Sequence, residues 1–204
     1  MSEMIAEPEA YFRGLIPTRS TLLKTMEEEA RREDIPIIGP VVGEMLYVLA
    51  RATGAGRILE LGTATGYSAI FLAEACAATG GRLTTMELDE AMARHAITNL
   101  ANAGLAQWAE VTCVNALEEL PQMGETFDFI FMDIEKADYL SMLPHCTRMV
   151  RAGGMLVADN VGFADADPFN RAIDENPSWR NVRLYAFLPE HSPEKDGLCL
   201  AVRI

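Results

Sequence analysis

Four residues carry the densest chemistry in this chain. Asp133, Asp159 and Asn160 offer three oxygen ligands, and Lys136 follows Asp133 by three positions. Two carboxylates and a side-chain amide, with the remaining positions left to water or substrate, suit Mg²⁺ or a similar hard cation. No Cys/His cluster suggests structural zinc. The three histidines, His95, His145 and His191, are scattered; His191 stands in a late loop near the site, but none of them is expected to act. Lys136 has two readings. Beside a cation and partly desolvated, its pKa would fall from about 10.4 towards the range of a general base. As a surface lysine it would pair with Glu135 or Asp138, and spacing alone does not separate the two.

A second group surrounds a glycine loop, Glu60-Leu61-Gly62-Thr63-Ala64-Thr65-Gly66-Tyr67-Ser68. Glycine lets the backbone approach a ligand closely, and the helix that follows offers free N–H groups and a positive dipole end. The G-x-x-x-G spacing differs from the dinucleotide G-x-G-x-x-G, so pyrophosphate is a poor fit. An amino-acid carboxylate at the helix start, beside the Ser68 hydroxyl, fits better. Glu60 could balance an ammonium group, and Glu87 could accept hydrogen bonds from two ribose hydroxyls. Carboxylate, ammonium and ribose together describe S-adenosylmethionine. Taken singly, each residue reads more readily as a turn, a helix cap or a solvated strand end; their recurrence at successive strand ends favours the cofactor.

The elements that must hold these groups are legible. From Gly56 onward, short apolar runs alternate with helical patterns: RILELG (57–62), RLTTMEL (82–88), EVTCVNA (110–116), FDFIFMD (127–133) and MLVADN (155–160) read as strands. Near-continuous apolar strands separated by helices predict a parallel sheet covered on both faces. In such sheets ligands bind at the carboxyl ends of the strands, and each of these five runs carries a polar or acidic residue within its last three positions: Glu60, Glu87, Asn115, Asp133 and Asp159-Asn160. VRLYAFL (182–188) and LCLAVRI (198–204) flank a turn-rich segment without room for a crossover helix, so an antiparallel pair is expected at one edge. Asp89 is placed to cap a helix that Gly104 ends, and Pro144 is expected to start a second helical segment. Residues 1–52 read as a helical segment packed on the core, with helices around 18–33 and 41–52, all within one domain spanning 1–204.

Composition sets the outer bounds. The 204 residues carry 30 acids against 17 Lys and Arg, a formal charge of −13 that repels a phosphate backbone and makes nucleic acid a poor default partner. Four cysteines without a CxxC pair point to reduced thiols and a cytoplasmic location. No signal peptide and no membrane span are read from the sequence.

Three stretches carry a family resemblance: ILELGTATGYSAI (58–70), MDIEKADY (132–139) and LVADN (156–160). With them, the chain from about Ile37 to its C-terminus resembles the metal-dependent catechol and caffeoyl-coenzyme A type O-methyltransferases, in particular their small bacterial members. The Asp-x-x-Lys-x-x-Tyr block followed by Asp-Asn after a strand is the specific part. The resemblance implies a Rossmann-like class I methyltransferase fold, an α/β seven-stranded sheet with an antiparallel C-terminal hairpin. It implies Asp133, Asp159 and Asn160 as metal ligands, with Mg²⁺ ahead of Mn²⁺ or Ca²⁺, and Lys136 as general base. Ile38, Glu60, Gly62, Thr63, Ser68, Glu87, Ala116 and Asp133 match positions that contact S-adenosylmethionine, and Asn115 stands where an Asp is often found. Homodimers are the rule in the family. This chain departs at Ile134, at Glu135 and at Val161-Gly162-Phe163, where a Leu-Trp loop is usual, so the acceptor is the open question.

The expected reaction is methyl transfer to a hydroxyl of a catechol-like small molecule with two adjacent oxygens. The rival acceptor is a hydroxylated wobble uridine in tRNA. A rival of another class is a non-catalytic S-adenosylmethionine-binding module. A nicotinamide dehydrogenase is disfavoured by the glycine spacing.

Overall fold

A computed structural model describes residues 3–204. Its sheet contains β1 (Arg57–Leu61), β2 (Arg82–Glu87), β3 (Ala109–Cys113), β4 (Phe127–Met132), β5 (Val150–Ala158), β6 (Trp179–Phe187) and β7 (Lys195–Arg203). The order is β3-β2-β1-β4-β5-β7-β6. β1 to β5 pair in parallel, while β7 lies between β5 and β6 and is antiparallel to both. The expected edge hairpin is therefore present, with β6 outermost.

Strand periodicity explains the two layers. Ile58, Phe129, Phe131 and Val157 point to one face and join a cluster with α3 (Gly39–Ala52) and α4 (Tyr67–Thr79). Leu59, Leu61, Ile130, Met132 and Leu156 point to the other, against α7 (Tyr139–Met149) and α8 (Asp167–Glu175). All nine strand side chains are fully buried, each contributing roughly 1.5–3 kcal/mol. Because both faces are covered, these strands are apolar at most positions, which is why they are readable.

The remaining helices are α1 (Pro8–Arg13), α2 (Thr21–Glu33), α5 (Glu90–Asn102) and the single turn α6 (Ala116–Glu119). Ser20 caps α2 by accepting from the Leu23 N–H, and Asp89 caps α5 by accepting from Ala91 and Met92. Gly104 closes α5 with a positive φ of 72°. One expectation needs correction, and one element was not anticipated. Pro144 lies inside α7 rather than opening a new segment; Met142, Leu143, Cys146 and Met149 are buried on both sides of it, and this packing carries the helix past the missing N–H. α1, which buries no residue, lacks the apolar periodicity that would have revealed it. All four cysteines are free thiols. Among the described residues, no helix is long and apolar enough to cross a membrane.

Candidate active site at the strand carboxyl ends

Strand order reverses between β1 and β4, where the crossovers leave the sheet in opposite directions and open a crevice. A cavity of about 350 Å³ lies there. Ile38, Gly62, Thr63, Ser68, Glu87, Asn115, Ala116, Asp133, Lys136, Asp159 and Asn160 all line it. Of the sequence-predicted site residues, Glu60 alone is absent from the wall; it is fully buried at the end of β1.

The loop after β1 depends on Gly62. Its φ is +91°, and a Cβ there would overlap the carbonyl oxygen of Asp133. The glycine thus lets the cofactor-type loop lie directly on the tip of β4. Gly66, at φ +89°, then starts α4, whose first residues Tyr67 and Ser68 border the cavity.

Two glutamates serve this loop differently. Glu87 Oε2 accepts the N–H groups of Thr63 (3.2 Å) and Ala64 (2.7 Å), and Oε1 accepts that of Asp89 (2.9 Å). It therefore fixes the loop, with capacity left mainly on Oε1 for a ligand hydroxyl. Glu60 Oε2 accepts from the Thr85 hydroxyl at 2.6 Å, and Thr85 in turn meets the Thr63 hydroxyl at 2.5 Å. Its other oxygen, Oε1, is buried without a partner. Burial pushes the Glu60 carboxyl up to about 8, against the lowering effect of the Ser68 and Thr85 hydroxyls; the charges of Asp133 and Glu87 push the same way as burial. A buried acceptor lacking a donor fits a ligand cation. Asn115 is more committed than expected: its Oδ1 accepts from Leu117 N and caps α6, and its amide donates to Glu118.

The oxygen set lies opposite. Asp133 Oδ1 accepts from Lys136 Nζ at 2.9 Å, so the lysine pairs with Asp133 rather than with Glu135 or Asp138. Burial and the charge of Asp159 raise the Asp133 carboxyl above its usual range, opposed by Lys136. Asp159 accepts from the Asn160 N–H (2.8 Å) and from His191 Nε2, at 2.8 Å to one oxygen and 3.0 Å to the other. Asn160 Nδ2 donates to Asp196 Oδ2 at 2.6 Å. Asp133 Oδ2 and Asn160 Oδ1 have no protein partner, while both Asp159 oxygens already meet His191 Nε2. Two carboxylates and an amide lining one cavity make the kind of donor set a hard divalent ion takes.

Three residues that carry this arrangement were not anticipated. His191, expected to be idle, is buried against Asp159, and its Nδ1 lies 2.6 Å from the Pro193 carbonyl. Burial pulls its pKa down, but the hydrogen bond and charge of Asp159 outweigh this and leave it above the ordinary value. Asp196 is 2% exposed and holds Asn160. The Tyr139 hydroxyl bridges the Met132 and Asp159 carbonyls (3.2 and 3.0 Å) and so joins the tips of β4 and β5. Asp-Gly at 196–197 and a lone histidine are weak signals, and only the pairing of β7 with β5 brings them here.

Known proteins share the family and the fold. A family model described as O-methyltransferase matches residues 17–175. A catechol O-methyltransferase from Niastella koreensis is 39% identical over 143 residues, 68% of this chain and 62% of that relative. A catechol O-methyltransferase from Mycobacterium tuberculosis is 39% identical over 120 residues, 58% of this chain and 54% of that protein. The matched stretch thus spans less than two thirds of either relative. Among solved structures, an O-methyltransferase from Bacillus cereus in complex with SAH superposes with a TM-score of 0.86 at 27% identity, covering 97% of both chains. The O-methyltransferase TomG from Streptomyces achromogenes, in complex with SAM, gives 0.85 at 28% identity, covering 96% of this chain and 95% of that one.

Proposed function

This chain belongs to the O-methyltransferase family, and on that premise we propose that it transfers a methyl group from S-adenosylmethionine to a hydroxyl of a catechol-like small molecule, with a divalent cation at Asp133, Asp159 and Asn160. One observation carries the reading. The glycine loop, with the unpartnered Glu60 carboxylate buried behind it, and the oxygen set with its lysine border a single cavity. The SAH- and SAM-bound relatives support the cofactor, and the catechol O-methyltransferases support the acceptor class.

S-adenosylmethionine would supply an electrophilic methyl on sulfur, and the cation, Mg²⁺ first, would supply Lewis acidity towards two adjacent acceptor oxygens. The protein does the rest. Glu60 balances the ammonium, the first turn of α4 receives the carboxylate, and Glu87 offers Oε1 to the ribose. Asp133, Asp159 and Asn160 would hold the ion. Lys136 Nζ, which donates to Asp133 in this structure, would have to act as the neutral amine to take the acceptor's proton while the acceptor oxygen gains the methyl group that sulfur gives up. Ile37, Ile38 and Ile134 give the cavity an apolar wall that suits an aromatic ring. Alignment of oxygen and methyl can remove up to roughly 7–11 kcal/mol of barrier.

Tritiated methyl transfer to a mixed acceptor panel, with and without Mg²⁺, tests the whole reading. Transfer to vicinal diols of an aromatic ring is expected; cofactor binding without transfer to any acceptor would leave a binding module. The proposal includes a homodimer, supported by the exposed apolar side chains Val182, Leu184 and Val202 on the last two strands; light scattering giving the monomer mass would remove it.

A further inference from the structure

We propose that Asp196 is a positioning residue that sets the Asn160 amide so that its oxygen, not its nitrogen, faces the cavity. The inference rests on the cation reading above and adds a residue to it. Asp196 Oδ2 lies 2.6 Å from Asn160 Nδ2. A carboxylate only accepts, so the amide must turn its NH₂ towards it. The second partner of the same nitrogen, the Ser192 carbonyl at 3.4 Å, is also acceptor-only. Oxygen and nitrogen sit on opposite sides of the amide carbon, which leaves Oδ1 for the cavity that Asn160 lines. Without Asp196 only the longer contact to the Ser192 carbonyl favours this orientation, and a hard cation would have to hold the amide oxygen in place at a cost in affinity.

Asp196 is itself held rigidly. It is 2% exposed, and its Oδ1 accepts the N–H groups of Gly197 (2.6 Å) and Gly162 (3.1 Å). A Cβ on Gly162 would overlap that same Oδ1. The glycine in the short loop after Asn160 is therefore what lets the tip of β5 reach the carboxylate. Asn160 has a φ of 49°, a left-handed conformation that asparagine tolerates better than most residues. Backbone and side chain are thus both constrained at this one ligand.

Asp196→Asn tests the idea with almost no change of shape. The substituted side chain keeps an oxygen for Gly162 and Gly197 but offers NH₂ to Asn160, which must flip to satisfy it. The probe is Mn²⁺, its free fraction read by electron paramagnetic resonance on the full-length protein, with S-adenosylhomocysteine binding followed in parallel by calorimetry. D196N is expected to bind Mn²⁺ about 10–100-fold more weakly and S-adenosylhomocysteine normally. Combining it with Asn160→Asp again sets an acceptor against a donor, leaves an oxygen towards the cavity, and should return Mn²⁺ affinity to near the wild-type level. Wild-type Mn²⁺ affinity in D196N, no recovery in the double variant, or equal loss of both ligands in D196N would each overturn the proposal. If the wild-type protein binds no Mn²⁺, the cation reading falls and takes this inference with it; wild-type binding with an unaffected D196N removes the inference alone.

Discussion

Glu60 is the residue whose chemistry is most exposed to a solution test. Its folded-state pKa of about 8 stands above the ordinary 4.5, so the ligand-free protein favours the neutral acid. The stability this contributes is fully present below 4.5 and is lost as pH rises through about 8. Glu60→Gln should therefore melt higher than the wild type above that pH when no ligand is bound. Binding should show the reverse dependence, since a ligand ammonium needs the ionised carboxylate. S-adenosylhomocysteine affinity should fall by up to about tenfold per pH unit below 8, and E60Q should flatten that slope and bind more weakly above it. Calorimetry across the range decides it, and an equal slope in E60Q would remove Glu60 from the ammonium site. Lys136→Met separates the two halves of the cavity. Turnover should drop about 10²–10⁴-fold while S-adenosylhomocysteine affinity stays unchanged, and normal turnover would eliminate Lys136 as the base.

At the scale of elements, the close contact of the β1–α4 loop with the tip of β4 is the feature most easily broken. Gly62→Ala would place a methyl group against the Asp133 carbonyl at a positive φ that alanine avoids. The strain alone costs about 1–3 kcal/mol, and the displaced Asp133 would carry Lys136 with it. Urea denaturation should show the loss, and both S-adenosylhomocysteine and Mn²⁺ binding should weaken together; undiminished binding of either would mean the loop moves independently of β4. The strands that build this contact were legible because burial on both faces forces mostly apolar runs, Ile58, Leu59 and Leu61 in β1 and Phe129–Met132 in β4. The site residues at their ends were legible for the same reason, as polar groups interrupting those runs. His191 and Asp196 were not. They reach the tip of β5 through the antiparallel insertion of β7, whose Cys199 pairs with Ala158, and no local spacing encodes a contact between residues more than 30 positions apart. Pro144 misled for a related reason: the core packing that holds α7 together around it is tertiary.

For the molecule as a whole, charge discriminates between acceptors. The chain carries −13 formally, and the cavity wall repeats the bias: Glu87, Glu135, Asp138, Asp133 and Asp159 line it with a single cation, Lys136, which is already paired. Gripping a phosphodiester backbone requires several Lys or Arg side chains that release condensed counterions, and this mouth offers none to spare. A catechol brings no such charge and matches a cavity of about 350 Å³ with an apolar wall. Methyl transfer should therefore proceed to catechols and not to undermodified tRNA, and its rate should vary little between low and physiological salt, because a neutral acceptor is not steered by the field. EDTA should abolish the transfer and Mg²⁺ restore it. The two halves of this prediction fail separately. Transfer to tRNA with a steep salt dependence would reassign the acceptor while leaving the cation in place, whereas salt-independent transfer to catechols that ignores chelation would keep the acceptor and return Asp133, Asp159 and Asn160 to a purely structural account.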